Sequence, residues 1–491
     1  MSKPMSNKHD LPQTAHVENP VSVAQKAAPE IVYPENELDP GSEKKVIRKV
    51  DWRIMPALGA LYAVSLIDRV NLSAARIAGM DLDLQLSVGN RYSLVTLILF
   101  VTYIIFDFPG NIVMRKLGPA QWLPGICLIL TIGMGFTNTW GQLLACRAIC
   151  GALEGGLFPG CIFLLSCWYA RFEIQKWFSG FYCLGMLSSG FSSILAYEIQ
   201  RMKGLAGLNG WRWIFIIGIL TCIIAIAAHF LLIDFPDKAT KSGLISRKAF
   251  LTAQEASIIL DRIERDRGDA TAEKLSFYDQ LKHLTDWKIW EMGILVLCNN
   301  MVAHALSYFL PTILLYGMGF SLVLTYTLVF PPYVLAAIWM FVSAYIGDRY
   351  RTRGSLLIIN ACFTIIGISM TGFCTASATR YAGVFLAVAS SNANIPGILS
   401  YSHNNIVGQS KRSTSAAVMI AGGGFGGIIS SLVFRQQDAP QYKPGLIVVI
   451  GLQALTVVIL AKNLWYFSRQ NRKADRGEGV IEGQGGFRYT C

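Results

Sequence analysis

Four charged residues sit where apolar surroundings should exclude them. Asp68 and Arg69 are adjacent, and Arg147 precedes Glu154 by seven positions, each pair inside a long apolar stretch. A charge in a bilayer is costly even after snorkelling, so such residues face a water-filled cavity and come with a partner. They suit a ligand or proton path through a membrane. Seven helical positions turn through about 700°, so Arg147 and Glu154 share one helix face at a separation of roughly 10 Å along the axis. That is too long for direct contact in a straight helix. It leaves room for substrate, for water, or for Asp68 from another helix. Gly151 and Gly155 add a small-residue face that admits a neighbouring helix.

The chemistry divides by charge. A guanidinium stays charged at any working pH and presents a fork matched to a carboxylate, so Arg69 and Arg147 are candidate binders of an anionic substrate. Asp68 and Glu154 are candidate proton carriers, because a buried carboxyl beside a guanidinium can change protonation when its surroundings change. The alternative is a structural ion pair tying the fourth helix to the first. His304, with Asn299 and Asn300 a turn before it, forms either a polar cluster in the same cavity or a helix-helix hydrogen-bonding group. Tyr103 is a further cavity candidate, although an aromatic in a membrane helix also serves packing.

The elements that position these residues follow from composition. The chain has 491 residues, 53% hydrophobic and 15% charged, with a mean hydropathy of +0.43. This lies outside the range of a soluble domain and indicates a polytopic, all-α membrane protein. Apolar runs near the roughly 20 residues needed to cross a bilayer recur. Each must satisfy its own backbone hydrogen bonds and so reads as a helix, and none alternates as a barrel strand would. The expected spans are Ile54 to Ala75, Ser93 to Met114, Trp122 to Thr137, Leu143 to Trp168, Phe178 to Ile199 and Trp213 to Ile233. A second set runs Met292 to Tyr316, Leu322 to Ile346, Ser355 to Thr375, Ala382 to Tyr401, Ser415 to Phe434 and Leu446 to Phe467. These twelve divide into a six-helix half over residues 51–233 and another over 292–467, with a connector over 234–291. Residues 1–50 are expected to be an unordered cytoplasmic tail and 468–491 a second cytoplasmic tail.

The net charge of +12 gathers at helix ends instead of on one soluble face, which argues against a nucleic-acid partner. Lys44, Lys45, Arg48, Lys49 and Arg53 precede the first span, and Arg469, Arg472, Lys473 and Arg476 follow the last. Both termini are therefore expected in the cytoplasm. Cysteines such as Cys127, Cys150, Cys161 and Cys222 fall within apolar helices without metal-ligand spacing and read as small buried hydrophobes. No cleavable signal pattern opens the chain. Asn71-Leu72-Ser73 is a chance glycosylation match against the first helix. In the connector, Thr252 and Glu255 form a capping box ahead of Ile258, Ile259 and Ile263, predicting one amphipathic helix with a strut's role.

The halves echo one another. Ala344 to Arg349, followed by Arg351 and Arg353, joins the eighth and ninth spans, and Gly110 to Gly118, with Arg115 and Lys116, lies at the equivalent place between the second and third. Recurrence in corresponding loops indicates a duplicated transporter architecture. Further motifs are Ile67-Asp68-Arg69-Val70-Asn71 with Ala78-Gly79-Met80, Tyr103 to Pro109 with Asn111, and Arg147-x3-Gly151-x2-Glu154-Gly155 with Pro159-Gly160. Trp168-Tyr169-x-Arg171-x-Glu173, Gly210-Trp211-Arg212-Trp213-Ile214-Phe215, Tyr308 to Thr312, and Asn404-Asn405 with Lys411-Arg412 complete the set. In this order they resemble the major facilitator superfamily, and within it the anion:cation symporter family, in particular its fungal allantoate and nicotinate permease-like branch. The likeness spans about residues 45 to 470.

That resemblance implies the major facilitator fold, with proton coupling at Asp68 and Glu154 and anion binding at Arg69 and Arg147. Asp107 stands where the family carries an acidic residue before a proline, near the cytoplasmic end, and is expected to serve a gating or structural role instead of touching substrate. Asp348 and Arg349 are expected to act as a conformational latch. Gly424 takes the place of a family asparagine and Tyr401 stands near a family tryptophan. Tyr401 thus becomes a substrate-contact candidate, and the two changes suggest a roomier wall. The expectation is a monomeric, non-enzymatic, proton-coupled carrier of a small organic anion, without cofactor or metal, in the plasma membrane. Export of an acidic metabolite and non-transporting nutrient sensing are the rivals. The glycine runs lack the strand and lysine of a phosphate loop, so a built-in ATP motor is not expected.

Overall fold

The computed structural model describes residues 40–117, 132–169, 174–216, 219–232, 250–267, 281–350, 352–439, 441–482 and 487–490. Among these the regular structure is helical. The helices are α1 (Pro40–Ala75), α2 (Arg91–Leu117), α3 (Trp140–Glu154), α4 (Leu157–Trp168), α5 (Ile174–Gln200), α6 (Gly210–Ile216), α7 (Ile219–Leu231) and α8 (Ala253–Arg267). They continue with α9 (Trp287–Thr312), α10 (Leu322–Tyr350), α11 (Arg353–Phe373), α12 (Ser377–Asn405), α13 (Gln409–Val433) and α14 (Lys443–Asp475). Eight helices among the described residues are long and apolar enough to cross a membrane. They correspond to the first, fifth and seventh to twelfth expected spans.

Several expectations need correction. The first helix starts at Pro40, eleven residues before the expected half begins, because Val46 and Val50 are apolar at helical spacing and bury against the bundle. The fourth span is two helices, α3 and α4, separated at Gly155 and Gly156, where two adjacent glycines weaken the helical ladder. In the sixth span, α6 and α7 flank residues 217–218, which lie outside the described residues. Most of the third span, together with Gly118, Cys127, Arg171 and Glu173, lies outside the described residues, as do the Cys222 side chain and the Arg115 and Lys116 side chains.

Local chemistry accounts for the helix ends. Thr139 caps α3, accepting from the Gln142 N–H while the Gln142 side chain reaches back to the Thr139 N–H. Beyond α1, Gly79 takes φ 111°, a left-handed conformation that glycine adopts without strain, which gives its motif position a physical reason. The Thr252–Glu255 capping box is present as read from the sequence. Ile259 and Ile263 of α8 are buried, and Lys49 of α1 pairs with Glu255 at 3.0 Å. Burial alone would raise the Glu255 carboxyl; the Thr252 N–H and the Lys49 ammonium outweigh it and hold it below its ordinary value.

Helix α1 packs along α5, α2 along α3, α9 along α13 and α11 along α12. Helices before the connector meet those after it through α5 with α10, α2 with α13 and α1 with α9. At the end of α1 remote from α8, the Tyr326 hydroxyl donates to the Ala74 carbonyl at 2.9 Å, Ser193 donates to the Tyr326 carbonyl at 3.0 Å, and Tyr92 donates to the Tyr308 carbonyl at 3.3 Å. The end of the chain is a packed element instead of a free tail. Glu482 pairs with Lys288 and Lys411, Tyr489 stacks on Phe467 at 4.3 Å, and the Thr490 N–H donates to Asn405 at 2.7 Å.

Candidate functional site

The four intramembrane charges meet, but in crossed pairs. Arg147 Nη1 donates to Asp68 Oδ2 at 2.8 Å, and Nη2 to the Asp68 backbone carbonyl at 3.2 Å. Arg69 Nη2 donates to Glu154 Oε2 at 3.2 Å. Neighbours on a helix diverge by about 100°, so Asp68 and Arg69 cannot pair with each other and each finds a partner on α3. The two-turn spacing of Arg147 and Glu154 sets the two rungs. Gly151, between them, makes this approach possible: a Cβ there would lie 2.1 Å from the Leu99 carbonyl oxygen of α2. A Cβ on Gly155 would lie 2.7 Å from the Tyr103 carbonyl oxygen. The small-residue face read from the sequence is thus filled by α2.

Exposure separates the two rungs. Arg147 is 0% exposed and Asp68 2%, whereas the Arg69 side chain keeps 12%. Arg69 lines a cavity of about 870 Å³, open solvent included, and among the described residues that line it is the one charged residue. Glu154 is buried behind Arg69. Its Oε1, the Asp68 Oδ1 and the Nε atoms of both arginines are buried without a hydrogen-bond partner among the described residues. Removing one member of such a buried pair costs about 3–5 kcal/mol, because the other charge is then uncompensated.

The cavity draws on helices from both sides of the connector. Tyr62 comes from α1, Phe100 and Tyr103 from α2, Phe158 from α4, Tyr182 and Ser189 from α5. Asn300, His304 and Ser307 come from α9, Tyr333 from α10, Asn392 from α12, and Gly423 and Gly424 from α13. Tyr103 and His304 therefore both line the cavity. His304 lies 4.6 Å from the Phe100 ring. Arg69 sits over Phe100 and Tyr103, with its guanidinium carbon 5.8 and 5.9 Å from their centroids.

Other expected site residues are elsewhere. Arg147 is absent from the cavity wall, because Asp68 and the α2–α3 contact enclose it. Asn299 turns away from Asn300 and accepts from Asn394 at 3.2 Å. Tyr401 is buried against Phe467. The cavity face of α12 runs through Asn392, Ile395 and Leu399 at helical spacing, and two further residues carry Tyr401 about 200° around the helix. Gly424 does not enlarge the wall, since Ile104 takes the space and would lie 2.6 Å from an added Cβ. Asp107 is buried one turn beyond Tyr103, beside Gly155 and outside the cavity lining. Asp348 accepts from Arg353 Nη2 at 2.6 Å, while Arg349 is exposed.

The sequence reading missed Tyr62, Tyr182 and Asn392. A signal existed for the first two. Tyr62, Leu66 and Arg69 recur at i, i+4 and i+7, as do Tyr182, Met186 and Ser189, and each set shares one helix face.

Comparison with known proteins bears on the fold. The profile of the Major Facilitator Superfamily matches residues 58–431. An uncharacterised transporter of Schizosaccharomyces pombe is 31% identical over 455 residues, covering 90% of this chain and 86% of the relative. A high-affinity nicotinic acid transporter of Saccharomyces cerevisiae is 27% identical over 445 residues, covering 90% of this chain and 80% of the relative. Among solved structures, a D-xylose-proton symporter superposes with a TM-score of 0.64 at 13% identity, covering 83% of this chain and 97% of that one. At that identity it supports the fold alone.

Proposed function

Because the chain belongs to the Major Facilitator Superfamily and is a membrane transporter, we propose that it carries a small organic anion together with protons by alternating access. One observation carries this reading: among the described residues of the cavity wall Arg69 is the one charged group, and it is already held by the buried carboxylate of Glu154. A substrate carboxylate and the Glu154 carboxylate compete for the same guanidinium. Protonation of Glu154 ends the competition and frees the fork for the substrate, and loss of the substrate returns Arg69 to an ionised Glu154. Proton and anion binding are thereby coupled, each favouring the other. Arg147 and Asp68 form a second rung that holds α1 on α3, with Asp68 as a further protonation site.

Membership of the anion:cation symporter branch is part of the proposal, with anion binding assigned to Arg69 alone of the two arginines the resemblance implied. A relative named for nicotinic acid, itself a carboxylic acid, supports it. We place both termini in the cytoplasm and the carrier in the plasma membrane as a monomer, its two six-helix halves rocking about the cavity. The direct test is uptake of a labelled acid panel into cells expressing the chain, at acid and at neutral external pH. Uptake of an acid that rises with external acidity and is not competed by its amide supports symport. Equal competition by acid and amide refutes it.

A further inference from the structure

The Asn404-Asn405 and Lys411-Arg412 motif is not among the described residues that line the cavity. It holds the end of the chain instead. Residues 489 and 490 are gripped by two side-chain amides, each engaging both backbone groups of one residue. Asn471 of α14 accepts from the Tyr489 N–H at 2.9 Å and donates to the Tyr489 carbonyl at 2.8 Å. Asn405 of α12 accepts from the Thr490 N–H at 2.7 Å and donates to the Thr490 carbonyl at 3.2 Å. Main-chain bonds of this kind hold an extended peptide whatever its sequence, and side-chain pockets add the specificity. The pocket here is the seat of Tyr489. Its ring is buried and stacked on Phe467, while its hydroxyl accepts from Lys288 Nζ at 2.7 Å and donates to Glu482 at 3.1 Å. Glu482, seven residues earlier, is shared by Lys288 of α9 and Lys411 of α13.

Gly477, Gly479, Gly483, Gly485 and Gly486 stand before and between these anchors. Glycine loses more conformational freedom on ordering than any other residue, so this composition opposes docking and favours release. Three of the four helices that hold the segment also line the cavity. At about 1.5 Å per residue, Asn405 lies about 9 Å along α12 from Leu399, Lys411 about 12 Å along α13 from Met419, and Lys288 about 12 Å along α9 from Val296. The docked segment thus ties three helix ends together beyond one end of the cavity.

We infer that the ends of α9, α12, α13 and α14 form a peptide-binding site whose ligand is residues 478–490 of this chain, and that its occupancy restrains the α12–α13 corner against α9. The site takes an extended peptide with a carboxylate seven residues before a tyrosine. A ligand that fits one arrangement of these helices better than another shifts the population toward it. Release of the segment therefore loosens that end of the cavity.

The test uses the purified full chain, the chain ending at Gly477, and a fluorescent synthetic peptide of residues 478–490. It needs no cargo and is independent of the anion reading. The peptide should bind the shortened chain saturably, and about tenfold or more weakly when it carries Tyr489→Ala, as expected for a buried interface anchor. Binding to the full chain should also be weaker by about tenfold or more, because the tethered segment competes at a high effective concentration. Amide hydrogen exchange over residues 399–412 should be about tenfold or more faster in the shortened chain and return to the full-chain rate once the peptide saturates. If the shortened chain does not fold, the full-length Tyr489→Ala chain takes its place with the same peptide added. No binding to the shortened chain, or equal affinity for the two chains or of the two peptides, overturns the peptide site. Exchange over residues 399–412 that is unchanged by truncation, or that stays fast with peptide bound, overturns the restraint.

Discussion

Replacing Glu154 with Gln should separate binding from coupling. The amide keeps the shape of the acid, and its oxygen can still accept from Arg69 Nη2, which sits 3.2 Å from Glu154 Oε2. Much of the about 3–5 kcal/mol cost of stranding a buried charge is thereby offset, so the variant should reach the membrane. What it loses is titration. One proton per anion, driven by a gradient of about two pH units, supplies about 2.7 kcal/mol and supports roughly hundredfold accumulation at zero membrane potential. Glu154→Gln should reduce that to about unity while retaining counterflow exchange, since Arg69 still receives the carboxylate. Proteoliposomes with an imposed pH gradient and the potential clamped at zero measure both quantities in one preparation. Accumulation above roughly tenfold in a correctly inserted variant would refute the coupling role, and loss of exchange along with accumulation would show that Glu154 is needed for binding itself.

Further predictions concern packing and the ends of the helices. Gly151→Ala places a methyl 2.1 Å from the Leu99 carbonyl oxygen, which is backbone and cannot yield, so the α2–α3 contact should lose about 1–3 kcal/mol or more, read as a lower melting temperature and lower surface expression. Asp348→Asn removes the charge from the contact with Arg353 and should slow turnover several-fold with equilibrium binding nearly unchanged; a large loss of binding with normal turnover would contradict the latch. The Glu482 carboxyl is held down to about 2, with burial, which would raise it, outweighed by Lys288 and Lys411. Its contribution to docking the C-terminal segment is full above the ordinary carboxylate pKa near ~4.5 and is lost as pH falls toward about 2. Glu482→Gln should release that segment at neutral pH, as measured by limited proteolysis beyond Gly477.

Legibility followed the range of the interactions. The capping box at Thr252 and Glu255 was readable because both partners lie within one helical turn. The membrane-crossing helices were readable because a long apolar run has one stable backbone solution in lipid. The shared face of Arg147 and Glu154 followed from helix geometry, and so did the impossibility of their direct contact. Their crossed partners did not, because which of Asp68 and Arg69 faces each rung depends on the rotation of α1 against α3. The misplacement of Tyr401 has the same origin: the sequence shows an aromatic in a helix but not the phase of that helix against the cavity. Gly424 illustrates a further limit, since its missing side chain is replaced by Ile104 from a helix more than three hundred residues away in the chain.

The central claim is that a substrate carboxylate and a proton exchange places on the Arg69–Glu154 pair. It is tested most directly by counting protons on binding: the purified chain is titrated with the best acid from the uptake panel in a calorimeter, at one neutral pH in buffers of different ionisation enthalpy, and the slope of binding enthalpy against ionisation enthalpy gives the protons taken up. The account predicts uptake of close to one proton per anion bound at neutral pH, abolished in Glu154→Gln and with binding itself weakened by Arg69→Lys. Anion binding with no proton uptake, or uptake that persists unchanged in Glu154→Gln, would contradict it.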